Sequence, residues 1–282
     1  MSAVPVVSSA LAGPAVAVAV AVARPASGSV TRLRAPAPHG VPAGSVPLAS
    51  GLANCYRRSA AAARRLPIPS AAGGGTVGDA FVIEDTTNVK FPREIAVPGY
   101  TEPLVILGTG YREKFFLKIY AAAFYVDCSI GVDTMRWREK VGIETFDASS
   151  VFDSIFKAPV VKSLSIILVR DVDGKTFVKA LDDIIARQIK KPSAEEEQSL
   201  STFQKTFLGR SLKQGTTVYL TWLEPSKLLI SIAGNQDPCQ VDAEITSATV
   251  NYALYDGFLG SSPVSPTLRS STALLLEAIL TK

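Results

Sequence analysis

One histidine is all that 282 residues contain, and it lies at position 39. Cysteine is nearly as scarce, with Cys55, Cys128 and Cys239 making the full set. Each shortage closes off chemistry. Beyond residue 39 there is no Ser-His-Asp or Cys-His pair and no imidazole to shuttle protons near neutral pH. Two separated cysteines after residue 78 do not make a zinc site, so no metal centre is expected. They leave two readings: a Cys128–Cys239 disulfide, or two free thiols packed as small hydrophobes. After residue 78 no stretch reaches ~20 consecutive apolar residues, so no integral membrane segment is expected.

Acid is missing from the first 78 residues. They hold seven arginines, no lysine and no carboxylate, and Asp79 is the first acidic residue. The chain's 29 basic residues therefore leave 22 beyond position 78, against 25 acids. The formal charge of +4 belongs to the N-terminal segment, and the remainder carries −3. A nucleic-acid partner is accordingly not expected for the folded part. Rich in Ala, Ser, Val, Pro, Gly and Arg, the segment cannot bury enough to fold alone. Acid-poor, Arg- and Ser-containing N-termini read as transit peptides, here to a plastid. A secretory signal around AVAVAVAVA, residues 15–23, is the alternative, but the run is short and no basic residue precedes it. The expected organisation is a transit peptide and linker over 1–78, then one domain over 79–282. Cleavage between Ala53 and Gly75 would leave that domain in the chloroplast stroma.

The folded part is long and apolar enough for one sizeable core, with the whole chain 47% hydrophobic. Residues 81–100 read as an extended lead-in that Pro92 and Pro98 keep from being helical. PLVIL, 103–107, is a buried-strand run, and the two glycines of GTGYREK predict a turn into a second strand over 115–127. Short helices are predicted over 132–140 and 149–158, and a strand over 162–171. Phe177, Leu181, Ile184, Ile185 and Ile189 fall at helical spacing. Ser193 and Glu196 form a capping box for the next helix. TTVYLTWLE and KLLISIAG predict a hairpin. Residues 242–260 read as helical, and a last helix is expected from Ser265 as N-cap and Pro266 at N1. The order of strands and helices predicts an α+β fold, an antiparallel sheet with helices over one face.

Few motifs carry chemistry. DVDG, 171–174, resembles the start of a calcium loop, but no glutamate closes it and a turn into a helix accounts for it. Asp182 and Asp183 point in different directions on a helix and make a poor acid/base pair. Arg112 and Tyr125 remain. Residue types alone leave two readings: a turn arginine with a rim tyrosine, or a paired anion site at the mouth of an apolar cavity. The second describes a fatty-acid head group, with each buried methylene contributing ~0.8 kcal/mol.

GTGYREKFFLKIYAAAFYVD, VVKSLSIILVRDVDGKTFVKALDDII and VNYALYDGFLGSSPVSPTLRSS resemble, in order, segments of the chalcone isomerase-fold family of plants. The resemblance spans roughly 80–282. It implies an open-faced sandwich, a large antiparallel sheet covered on one face by helices, with a cleft between the layers. Chalcone isomerases cyclise a chalcone to a flavanone with a network of hydroxyl and amide groups. The resemblance puts their arginine at Arg112, but Tyr120, Phe177, Ile184 and a position near Gly257 stand where the family has threonine, tyrosine, asparagine and threonine. Those departures make a less polar cleft. A plastid fatty-acid-binding branch shares the fold, and its third type is the most similar. There an arginine and a tyrosine hold the carboxylate, which the resemblance assigns to Arg112 and Tyr125, with Tyr120, Phe177 and Ile184 lining the chain's path. The implied role is non-catalytic binding of long-chain, saturated fatty acids without a cofactor. Chalcone-flavanone isomerase is the alternative, and a polyketide-binding helper of flavonoid synthesis a weaker third.

Overall fold

The computed structural model describes residues 80–234 and 240–281; His39, Cys55, Cys239 and the acid-free segment lie outside them. The chain runs β1 (Phe81–Glu84), β2 (Val89–Pro92), β3 (Glu94–Ile95), β4 (Leu104–Lys114) and β5 (Leu117–Asp127). Three short helices follow: α1 (Ser129–Val132), α2 (Thr134–Val141) and α3 (Val151–Lys157). Then come β6 (Lys162–Leu168), β7 (Val172–Asp173), α4 (Gly174–Gln188), α5 (Ala194–Phe207), β8 (Ser211–Leu212), β9 (Thr217–Glu224) and β10 (Lys227–Ala233). The chain closes with β11 (Ala243–Ile245), α6 (Ala248–Leu259) and α7 (Pro266–Leu280). Seven strands form one antiparallel sheet in the order β11-β10-β9-β6-β5-β4-β3. The fold is α+β, as the alternation of strand and helix segments predicts.

Each strand of that sheet serves two layers, because successive side chains point to opposite faces. On β5, Tyr120, Ala122, Phe124 and Val126 join the main core, which the helices complete with Phe177, Ile184, Tyr255 and Leu268 among others. Ala121, Ala123 and Tyr125 point the other way, into a second core with Phe91, Ile95 and Val97. The extended lead-in of residues 81–100 thus covers part of the face that the helices leave open.

Two sequence expectations are corrected. GTGYREK is not a turn but the end of β4. Its glycines are strand residues because helix α7 lies on them: a Cβ at Gly108 would stand 2.6 Å from the Thr272 nitrogen, and one at Gly110 only 2.1 Å from the Leu268 nitrogen. The hairpin turns instead at Phe115 and Phe116, with φ of 50° and 62°. Two positive φ angles between paired Lys114 and Leu117 make a type I′ turn. That conformation costs a residue with a Cβ about 1–2 kcal/mol. The second correction concerns 242–260, which divides into β11 and α6. Residues 243–245 extend the sheet along β10, and Ser247 then accepts the Val250 N–H to start the helix. The capping box of Ser193 and Glu196 forms as expected.

Helix α7 also seals a sheet edge. Beyond the two-residue β3, the outer backbone groups of β4 need partners. Ser265 donates its hydroxyl to the Tyr111 carbonyl at 2.7 Å, Ser271 donates to the Thr109 carbonyl at 2.6 Å, and Thr267 accepts the Tyr111 N–H at 3.0 Å. Pro266 opens the helix as predicted, but Ser265 does not cap it with its side chain, because that hydroxyl is engaged with β4.

One charge is buried in the main layer. Lys162 is 2% exposed and lies opposite Trp222, its Nζ 4.3 Å from the indole ring. It donates to the carbonyls of Val160 at 3.0 Å and Ala158 at 3.4 Å. Burial pushes its ammonium down from 10.5 to about 7.

Both features are testable. Gly110→Ala sets a Cβ against helix backbone that no rotamer can relieve, and is expected to lower stability by about 2–3 kcal/mol in urea unfolding. Between about pH 7 and 10.5 the folded Lys162 binds less proton than the unfolded one. Stability therefore rises with pH across that window, and below it the cost of burying the charge is fully present. The urea midpoint is expected to be higher at pH 9 than at pH 7, and Lys162→Met is expected to flatten that rise.

Candidate functional site

Arg112 near the end of β4 pairs directly with Tyr120 on β5, so both side chains stand on the helix-covered face. The position is set by the register that carries Gly108 and Gly110 under α7. Arg112 is half-buried, and its Nη1 is sequestered from solvent; the Tyr120 phenol is buried, with the residue 3% exposed. Neither of these two atoms has a hydrogen-bond partner among the described residues. A buried donor without a partner costs about 1–3 kcal/mol, and more when charged, so two of them side by side are unusual in a core. Burial pushes the phenol up to about 12, and the adjacent guanidinium opposes that rise by its charge and as a donor directed at the phenol oxygen. At neutral pH both groups are therefore donors: arginine holds its charge and Tyr120 keeps its proton. Two convergent donors, one of them cationic, suit an anionic oxygen.

The surroundings are apolar. Phe258 of α6 lies 6.4 Å from the Tyr120 ring, centre to centre. Phe177 and Ile184 of α4 belong to the same core as Tyr120. The Ile184 Cγ2 occupies the space beside Gly257, 1.7 Å from where a Cβ would stand. Side chains thus fill the interlayer space here. A cavity of about 580 Å³ opens elsewhere, beside the second core, lined by Pro98, Tyr100, Val161, Leu223, Leu229 and Glu244 among others.

Sequence reading pairs Arg112 with Tyr125, and the structure parts them. Tyr125 lies opposite Ile106, is fully buried in the second core and donates its hydroxyl to the Pro92 carbonyl at 2.9 Å. It ties the lead-in to the sheet. The physical reason is parity: Tyr120 and Tyr125 are five positions apart on one strand, an odd offset, so they face opposite layers. Tyr120, which the resemblance sets at the family's threonine position, is the phenol opposite Arg112, and strand parity is the signal for it. Phe177 and Ile184 stand in the helix-side core as expected.

The other motifs have structural work. Asp173 caps α4 by accepting the Thr176 N–H, and Asp171 accepts the Gln214 N–H and pairs with Lys213 at 3.0 Å. Asp182 accepts from Gln204, and burial raises its carboxyl. Cys128 is a free thiol, pushed up to about 11 by burial first and by nearby carboxylates such as Asp127. It stays protonated and unreactive at neutral pH. Lys162 was not singled out from sequence, because only the fold shows that β6 carries it into the core.

Known proteins match this chain over the same region. The family model for chalcone-flavanone isomerase matches residues 86–279. Chalcone--flavanone isomerase 1B-1 of Glycine max is 24% identical over 194 residues, covering 66% of this chain and 86% of that protein. Chalcone isomerase-like protein 2 of Humulus lupulus is 27% identical over 205 residues, covering 69% and 95%. Among solved structures, a fatty-acid binding protein of Arabidopsis thaliana superposes with a TM-score of 0.58 at 18% identity, over 72% of this chain and 100% of that one. With the family model spanning most of the described residues, the chain belongs to the chalcone-flavanone isomerase family.

Proposed function

We propose that this protein binds free fatty acids without transforming them, with the carboxylate held by Arg112 and Tyr120. The carrying observation is the buried pair of Arg112 Nη1 and Tyr120 Oη, opposite one another on β4 and β5, with no carboxylate or carbonyl of the described residues bonded to either atom. A carboxylate supplies two acceptor oxygens and a charge of the right sign. Phe177, Ile184 and Phe258 offer the acyl chain an apolar wall, and the fatty-acid binding protein of Arabidopsis thaliana shares the fold. Each methylene buried there contributes ~0.8 kcal/mol, which favours long, saturated chains. Because side chains fill the interlayer space, uptake requires Ile184 and Phe177 to move as the chain enters, with α4 and α6 easing off the sheet. Tyr125 has no part in the site.

The isomerase reading draws on the relatives of Glycine max, which are named as isomerases. Against it stand side chains of the same helix-side core: neither Phe177 nor Ile184 has a group to polarise a ketone or order water. The acid-free first 78 residues support delivery to the plastid stroma, where the protein would store, carry or supply fatty acid.

Mass spectrometry of lipid co-purified with the protein tests the site. Arg112→Ala is expected to lose tenfold or more of the bound fatty acid, since a charged hydrogen bond contributes about 1.5–3 kcal/mol, and Tyr120→Phe about fivefold. Tyr125→Phe is expected to retain it. Undiminished fatty acid in Arg112→Ala, or turnover of naringenin chalcone well above the spontaneous rate, would overturn the reading. Import of the full chain into isolated chloroplasts, with protease-protected shortening, is the expected result for location; a full-length product left outside would remove it.

A further inference from the structure

The β4–β5 hairpin ends in an apolar point. Of the large apolar side chains among the described residues, Phe116 and Phe115 are the most exposed, at 94% and 83%, and Leu117 beside them is 52% exposed. Neither phenylalanine belongs to either core. The turn does not ask for them either. A type I′ turn favours Asn-Gly, and here both positions hold a bulky residue at positive φ. Folding and turn geometry thus leave the two rings without a role.

Two lysines flank them, with Glu113 paired opposite Lys118. Lys114 precedes the tip, its Nζ 5.6 Å from the Phe115 ring, and Lys118 follows it, reaching the Thr86 carbonyl of the β1–β2 turn. Arg112 lies behind, and Glu113 is the one acid between residues 112 and 118. Two adjacent rings on a narrow convex turn suit a soft medium that closes around them better than a flat partner surface. Ammonium groups one residue before and two residues after the rings suit the level of phosphate head groups, with aliphatic stems lying along the apolar boundary.

We propose that the Phe115–Phe116 turn is a docking tip that seats in the surface of an anionic lipid bilayer, with Lys114 and Lys118 at its phosphates. This makes the protein peripheral, consistent with no described helix being long and apolar enough to cross a membrane. The proposal goes beyond fatty-acid binding and stands without it.

The test uses the full chain and vesicles of phosphatidylcholine with phosphatidylglycerol. A Phe116→Trp variant adds one indole at the tip to two that are buried, Trp137 and Trp222. Its added emission is expected to shift to the blue on vesicles and to be quenched by brominated acyl chains. The double variant Phe115→Asn with Phe116→Gly suits the turn, so its urea midpoint is expected to equal or exceed the parent's. Its vesicle partition is expected to fall about tenfold or more. Equal partition of parent and double variant, with no quenching, would overturn the proposal and assign any vesicle binding to the N-terminal arginines. Tip-dependent self-association in sedimentation, again without quenching, would overturn it in favour of a second copy of the chain.

Discussion

Gly108 and Gly110 have no side chains, and helix α7 lies in the space they leave. That contact sets the distance between the last helix and the β4–β5 hairpin. It also brings Ser265, Thr267 and Ser271 within reach of the outer backbone groups of β4, so one close approach both packs the layers and closes an edge. Two residues beyond Gly110 on the same face stands Arg112. The strand is pinned by backbone contact up to that point and free of helix contact at its tip. The guanidinium is therefore held by a rigid element while the turn beyond it projects into solvent.

The sheet's two faces divide the work of the tyrosines. Tyr125 satisfies its hydroxyl on Pro92 and holds the lead-in against the second core. Tyr120, on the helix side, has a hydroxyl with no protein acceptor beside a guanidinium nitrogen in the same condition. A buried polar group is normally satisfied, and a core that leaves two donors facing each other has given up stability at one place. Both groups give protons to hydrogen bonds at neutral pH, since burial pushes the phenol up to about 12 and a guanidinium has donors only. Such a pair can hold an anion, and it cannot serve as a base.

Much of this was legible in the sequence because local rules and tertiary structure agreed. The α4 apolar spacing, the Ser193–Glu196 box and the β9–β10 hairpin all formed where propensity and period place them. The failures share a cause, tertiary override. Glycines 108 and 110 carry a turn signal, but a helix backbone pressing on a strand demands the same residue for another reason. The true turn holds two phenylalanines, which carry no turn signal at all. Within the site, Arg112 was legible as a cation at an apolar mouth. Its partner was not, because two tyrosines on one strand compete for the role and only the face decides. Lys162 looks like any strand-end lysine until the fold buries it.

Ile184 and Gly257 bear on how far the site has moved from the family pattern. By resemblance, Ile184 stands where isomerases have asparagine, and Gly257 lies near the position of their later threonine. The structure joins them. The Ile184 Cγ2 lies where a Gly257 Cβ would be, so the branched side chain on α4 requires the bare backbone on α6. Threonine at 257 with isoleucine kept at 184 would collide, and asparagine at 184 with glycine kept at 257 would leave a void with an amide in it. The two positions pack directly against one another. With apolar packing at both positions, the convergent donors on this face of β4 and β5 are Arg112 and Tyr120. Any ligand entering between these layers would have to part that apolar contact, and the acceptor atoms it carried would meet the two buried donors.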